Sequence, residues 1–229
     1  MKKLIILFFL ILNTFVYSQN LEDKIRNSFC ECIKTAYSKT EINVSCFENI
    51  LNENETEIDS LFLELSIKEN LIDSDDPYQA GYDAGYNYIT SLFDKNIPYF
   101  FENCGSFYSR IVEARNEAIA NIFIDCEDGK IEKMTKYIGQ YEYNSDFIFD
   151  RGKCYFGIKK YELALNDFND CLAVFPNDIA ALYCKAITLE KLERFNEATE
   201  THKRIYLMTG QDVHKISFEI AKYLASKQE

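Results

Sequence analysis

Residues 145–178, SDFIFDRGKCYFGIKKYELALNDFNDCLAVFPND, run without a break into residues 179–212, IAALYCKAITLEKLERFNEATETHKRIYLMTGQD. Laid over one another, the two segments keep their landmarks. Tyr161-Glu162-Leu163-Ala164 returns as Phe195-Asn196-Glu197-Ala198, Gly152 as Ala186, Tyr155 as Leu189 and Cys171 as Ile205. Such self-similarity predicts one supersecondary unit stacked on its copy. Helical spacing fills both segments, so each unit is expected to be two antiparallel helices. Small residues such as Gly152 and Ala164 fall where helices touch, and Tyr155 and Phe168 fill the space between units. Pro176 cannot continue a helix and ends the second one of the first unit.

The order Gly152, Tyr155, Tyr161, Ala164, Phe168, Cys171, Pro176 resembles the tetratricopeptide repeat, in units 145–178 and 179–212. Residues 213–229 resemble the capping helix that such arrays carry. The match departs from the family's pattern at Ile148 and Leu182, where Trp is common, and at Arg151 and Lys185, where Leu is usual. His202 and Gly210 stand for its aromatic residue and Pro. The resemblance implies an all-α fold, a short α-solenoid with a groove lined by the first helix of each unit. Carried over by position, that groove presents Phe149, Lys153 and Phe156, then Tyr183, Ile187 and Glu190. The family's carboxylate clamp of Lys, Arg and Asn is absent, so an apolar or aromatic segment of a partner protein is the expected ligand. In the other reading, the N-terminal domain or a degenerate preceding unit folds over these residues and makes them core.

Working toward the N-terminus, residues 106–144 read as a helical connector or degenerate repeat. Phe107, Ile111, Ala114, Ala118 and Ile122 mark one helix, closed near Asp128-Gly129, and Ile131, Met134 and Ile138 a second. Residues 20–105 read as a Cys-containing helical domain. Leu21, Ile25, Phe29, Cys32 and Ile33 mark its first helix, and a second runs from about Val44 to Leu65. Asp76-Pro77 starts a third, with Tyr78, Tyr82 and Tyr86 on a packing stripe beside Gly81 and Gly85. Pro98 is expected to begin a separate short segment ending at Cys104-Gly105. Residues 1–18 have the basic start, apolar run and small-residue end of a cleaved secretory signal, with Gln19 first in the mature chain. The leader and the Asn/Lys/Ile-rich body resemble exported proteins of the Bacteroidota. Periplasmic or secreted localisation is therefore expected, with no membrane span after cleavage.

The formal charge of −12 lies almost wholly in residues 19–144. A phosphate backbone would be repelled by it, which excludes nucleic acid as a partner. Asp73, Asp75 and Asp76 lack the spaced ligands and central Gly of a calcium loop, and read as a solvated capping turn. Eight Cys in an exported chain read as disulfides rather than metal ligands. Cys30 and Cys32 point different ways on one helix, so two bridges from it, to Cys46 and to Cys104, would staple three helices together. Cys171 reads as packing, Cys154–Cys184 could pair between adjacent helices, and Cys126 stays free or reaches the repeats. No nucleophile motif, phosphate loop or catalytic carboxylate pair is present, so no cofactor, metal or enzymatic activity is expected. Three functions follow in order: an exported interaction module, a structural subunit of a cell-envelope assembly, and a thiol–disulfide protein using Cys30 and Cys32.

Overall fold

The computed structural model describes residues 21–32, Thr56, 77–105, 107–123, Cys126, 129–140 and 144–228, side chains of 77–86 and 88–90 excepted. The leader 1–18, the helix expected from Val44 to Leu65, Cys46, the acidic turn at Asp73 to Asp76 and the Tyr78, Tyr82 and Tyr86 side chains lie outside the described residues. Every regular element among the described residues is helical. The chain divides into two units, Met1–Ile111 and Val112–Glu229.

The first unit joins α1 (residues 21–32), α2 (Pro77–Asn103) and the opening turn of α3 (Phe107–Ile122). Leu21, Ile25 and Phe29 recur every four residues, which puts them on one face of α1, and all three are buried. Phe29 meets Phe93 at 4.8 Å, Phe100 at 4.5 Å and Phe107 at 5.4 Å between ring centroids. The tilted and edge-on geometry of these pairs suits the ring quadrupoles better than face-to-face stacking. Buried Asn96 is satisfied, donating to the Leu92 carbonyl at 2.7 Å and to Glu22 at 3.0 Å. Burial alone would push the Glu22 carboxyl up. The Asn96 hydrogen bond and Lys95 outweigh it and hold the group below its ordinary value. Cys30 and Cys104 stand at disulfide-bonding distance, with Cα atoms 4.8 Å apart.

One expectation fails in this unit. Pro98 does not start a segment but lies inside α2. A proline there removes a backbone hydrogen bond and crowds the preceding turn, a cost of about 3 kcal/mol. Its ring is exposed, while its neighbours Ile97, Phe100 and Phe101 are buried. Burial of those side chains, at roughly 2 kcal/mol each, offsets the broken turn.

The second unit contains the rest of α3, then α4 (Lys130–Ile138), α5 (Ser145–Gly157), α6 (Tyr161–Val174), α7 (Ile179–Lys191), α8 (Phe195–Thr209) and α9 (Asp212–Ser226). From α4 onward each helix packs on the next in sequence, and α5 also touches α7. Two turns 34 residues apart share one backbone conformation. Lys159 and Glu193, at matching positions, both adopt left-handed conformations, with φ 62° and 60°. The next amide in each turn bonds back in the same way, Lys160 to the Tyr155 carbonyl at 2.8 Å and Arg194 to that of Leu189 at 2.9 Å. These bonds satisfy carbonyls that a helix end otherwise leaves open. The two units then stop differently: Pro176 follows α6, whereas Gly210 closes α8 with φ 65°.

Small residues set the approach of helices within each unit. A Cβ on Gly152 would lie 2.8 Å from a ring carbon of Phe168, so only Gly lets α5 and α6 come this close. Ala164, Ala186 and Ala198 are fully buried. Arg151, a departure from the repeat pattern, has a partner: its guanidinium grips buried Asp167 with two bonds, of 2.9 and 2.7 Å. Asp178 caps α7 by accepting from the Ala180 and Ala181 amides. At the chain end α9 packs on α8 and buries Ile220 and Ala221, the latter in a cluster with Leu165, Leu189 and Ala198.

Candidate functional site on the face of α5 and α7

Of the six expected groove residues, Phe149, Phe156, Tyr183 and Ile187 gather in one apolar cluster with Phe168 and Cys184. Ala164, Tyr155 and Tyr161 join it from residues 145–178, and two members come from outside residues 145–212. Ile119 and Phe123, at the end of α3, pack into it, and the rings of Phe123 and Phe156 stack 3.7 Å apart. Phe156 is 8% exposed and Ile187 not at all. Phe149 and Tyr183 are half-buried, and Lys153 pairs with Asp150 at 2.7 Å while lying 5.0 Å above the Phe149 ring. The centre of the face is thus core, covered by α3, and its rim remains accessible. Within residues 106–144, α4 packs on α5.

Arg115, Ile119 and Phe123 recur at four-residue spacing, a single stripe along α3. Arg115 leads it to the sixth groove residue. The guanidinium donates to Glu190 Oε2 at 2.9 Å and to Oε1 at 2.5 Å, a bidentate pair. The two side chains are only 9% and 11% exposed. His202 is wholly buried, with Nε2 2.8 Å from Glu190 Oε1. That contact fixes the tautomer, Nε2–H donating to the carboxylate. Tyr183 closes the cluster, its ring 5.8 Å from that of His202 and 6.0 Å from that of His214.

The charges follow from these contacts. Burial alone would raise the Glu190 pKa, but the His202 hydrogen bond and Arg115 prevail and the carboxyl lies below its ordinary value. Burial lowers the His202 pKa against the pull of Glu190, which favours the uncharged ring. Burial also works against the Arg115 charge, and Glu190 more than restores it. The buried Glu190 carboxylate is thus matched by the Arg115 guanidinium from α3. The match is incomplete, because Arg115 Nε and His202 Nδ1 are buried without a hydrogen-bond partner.

Sequence reasoning missed Arg115 and treated His202 only as a lapse in the repeat. The signal was there. Phe156 and Phe168 of the first unit become Glu190 and His202 at the matching positions of the second, a paired exchange of two aromatics for two polar groups.

The cysteines correct one expectation and resolve another. Cys154 does not reach Cys184; it stands at disulfide-bonding distance from Cys126, with Cα atoms 5.1 Å apart. Cys126 therefore ties the chain just beyond Phe123 to α5. Cys171 and Cys184 are free and buried, and burial pushes both thiols up to about 12. Cys30 meets Cys104 rather than Cys32. Among the described residues no cluster of His, Cys, Asp and Glu is placed to hold a metal ion, and no helix is long and apolar enough to cross a membrane. Comparison with family models, curated proteins and solved structures finds no match.

Proposed function

We propose that the chain is an exported protein–protein interaction module of the tetratricopeptide type, holding an apolar or aromatic segment of a partner on the face of α5 and α7. The supporting observation is that this face already accepts a helix: Phe156, Ile187 and Glu190 take Phe123, Ile119 and Arg115 from α3. Aromatic stacking and a bidentate ion pair are the contacts that dominate protein interfaces. The recurrence of the Lys159 and Glu193 turns supports the repeat reading.

A photo-crosslinking residue placed at Phe149 or Lys153, on the accessible rim, tests the reading in the native envelope fraction. Discrete adducts are expected there and not from Glu200, an exposed position on α8. Identical products from all three positions, or none above background, would overturn it.

A second reading, a structural subunit of an envelope assembly, is favoured by a different surface. Val174 ends α6 and Phe175 follows it, and Leu207, Met208 and Val213 lie around the end of α8, all exposed. Apolar side chains at both inter-unit turns suit permanent burial in a complex.

A further inference from the structure

We propose that residues 112–123 are a built-in ligand of the repeat face, and that the face selects a helix carrying a cation, an aliphatic residue and an aromatic residue at successive four-residue steps. This rests on the reading of the repeats as a binding module and adds what they bind. Arg115, Ile119 and Phe123 embody that pattern. Each meets a receptor group of its own: the Glu190 carboxylate, the Ile187 region of the cluster, and the Phe156 ring at 3.7 Å.

Three observations separate a resident ligand from an ordinary core helix. The stripe reaches residues of α5, α7 and α8 through its side chains, while among the described residues the α3 backbone packs closely on none of the other helices. The cation site is filled imperfectly, with Arg115 Nε and His202 Nδ1 unpartnered, so a better-matched helix gains bonds that α3 does not make. An open cavity of about 490 Å³ adjoins the aromatic end, lined by Ile119, Phe123, Phe156, Lys159 and Tyr161. The Cys126–Cys154 link holds the segment beside its site, raising its effective concentration as a short tether does.

The test uses the full chain and a labelled synthetic peptide of residues 110–125, with binding read by fluorescence anisotropy. The Arg115→Ala chain, whose own latch is broken, should bind the peptide about tenfold or more tighter than the wild-type chain does. A peptide carrying Ala at its Arg115 position should lose about tenfold on the Arg115→Ala chain and nothing on the Arg115→Ala/Glu190→Gln chain. Equal binding to wild-type and Arg115→Ala chains, or indifference to the peptide's Arg, would overturn the proposal. Hydrogen exchange on the wild-type chain needs no variant to fold. Amides of 112–123 should exchange through a local opening while α5 to α8 stay protected; exchange of both together only on global unfolding also overturns it. Rim crosslinks with no peptide binding leave the module reading standing and remove the built-in ligand. Peptide binding with no rim crosslinks does the reverse.

Discussion

Phe156 and Glu190 occupy the same place in their respective units, yet Phe156 stacks on Phe123 at 3.7 Å while Glu190 accepts hydrogen bonds from Arg115 and His202. One repeat position thus makes an apolar contact in the first unit and an ionic one in the second, both to side chains outside its own helix. The face therefore changes from an apolar contact on α5 to an ionic one on α7.

Removing one member of the ionic cluster should cost more than replacing the cluster. Arg115→Ala leaves a buried carboxylate without its cation and should destabilise the chain by about 3 kcal/mol. The triple change Arg115→Met, Glu190→Leu, His202→Phe should fall within about 1 kcal/mol of wild type, because no charge then remains to be desolvated. Urea midpoints of the two variants decide it: equal losses would show that the unpaired carboxylate carries no extra cost.

Acid should loosen the same cluster. The groups facing His202 are Glu190 and Tyr183 of α7, Arg115 of α3 and His214 of α9. Its folded pKa lies below the ordinary 6.5, so the unfolded chain takes up the proton first. The stabilisation is fully present above about pH 6.5 and is lost as pH falls through the lowered folded value. Glu190, also lowered in the fold, adds a further loss as pH drops below its ordinary 4.5. Thermal midpoints from pH 7.5 to 4 should decline, and His202→Phe should flatten the upper part of that slope. A wild-type midpoint that rises on acidification contradicts the assignment.

Gly152→Ala should destabilise by about 1–3 kcal/mol, since the added methyl meets Phe168 at 2.8 Å and the α5–α6 pair has to part. The same exchange in the opposite sense at the matching site, Ala186→Gly, loses a buried methyl and helix propensity, about 1 kcal/mol. Denaturant melts that show Gly152→Ala neutral would mean the helices sit farther apart.

Glycine should help at the two repeated turns. Lys159 and Glu193 hold left-handed backbone, which costs a residue with a Cβ about 1 kcal/mol. Lys159→Gly and Glu193→Gly should each raise stability by a similar fraction of that, offset by the greater freedom of glycine in the unfolded chain. Unequal signs for the two variants would break the structural equivalence of the turns.

The two free thiols should be inert in the folded chain. With pKa values near 12 and both groups buried, Cys171 and Cys184 should resist alkylation at pH 8 and react at once in denaturant. Peptide mapping after native labelling reads the outcome, and modification of either thiol without unfolding would show the core is open.

Helix placement was legible from the chain because it depends on local spacing. Apolar residues at three- and four-residue intervals specify which face of a helix seeks burial, and Pro176 and Gly210 stop helices by backbone chemistry alone. Hence α5 to α9 fall where periodicity puts them. At Pro98 a local rule meets a tertiary exception, because Ile97 before the break and Phe100 and Phe101 after it are buried.

What only the tertiary structure decided is which surface covers which. Spacing names the apolar face of α3 but not its target, since any apolar surface lowers the free energy of burial and the effect has no direction. The approach of Arg115 to Glu190 joins residues 75 positions apart, and the pairing of Cys126 with Cys154 likewise depends on where two helices come to rest. Such long-range choices are settled by the packing of the whole unit, because a buried charge tolerates only the arrangement that supplies its partner.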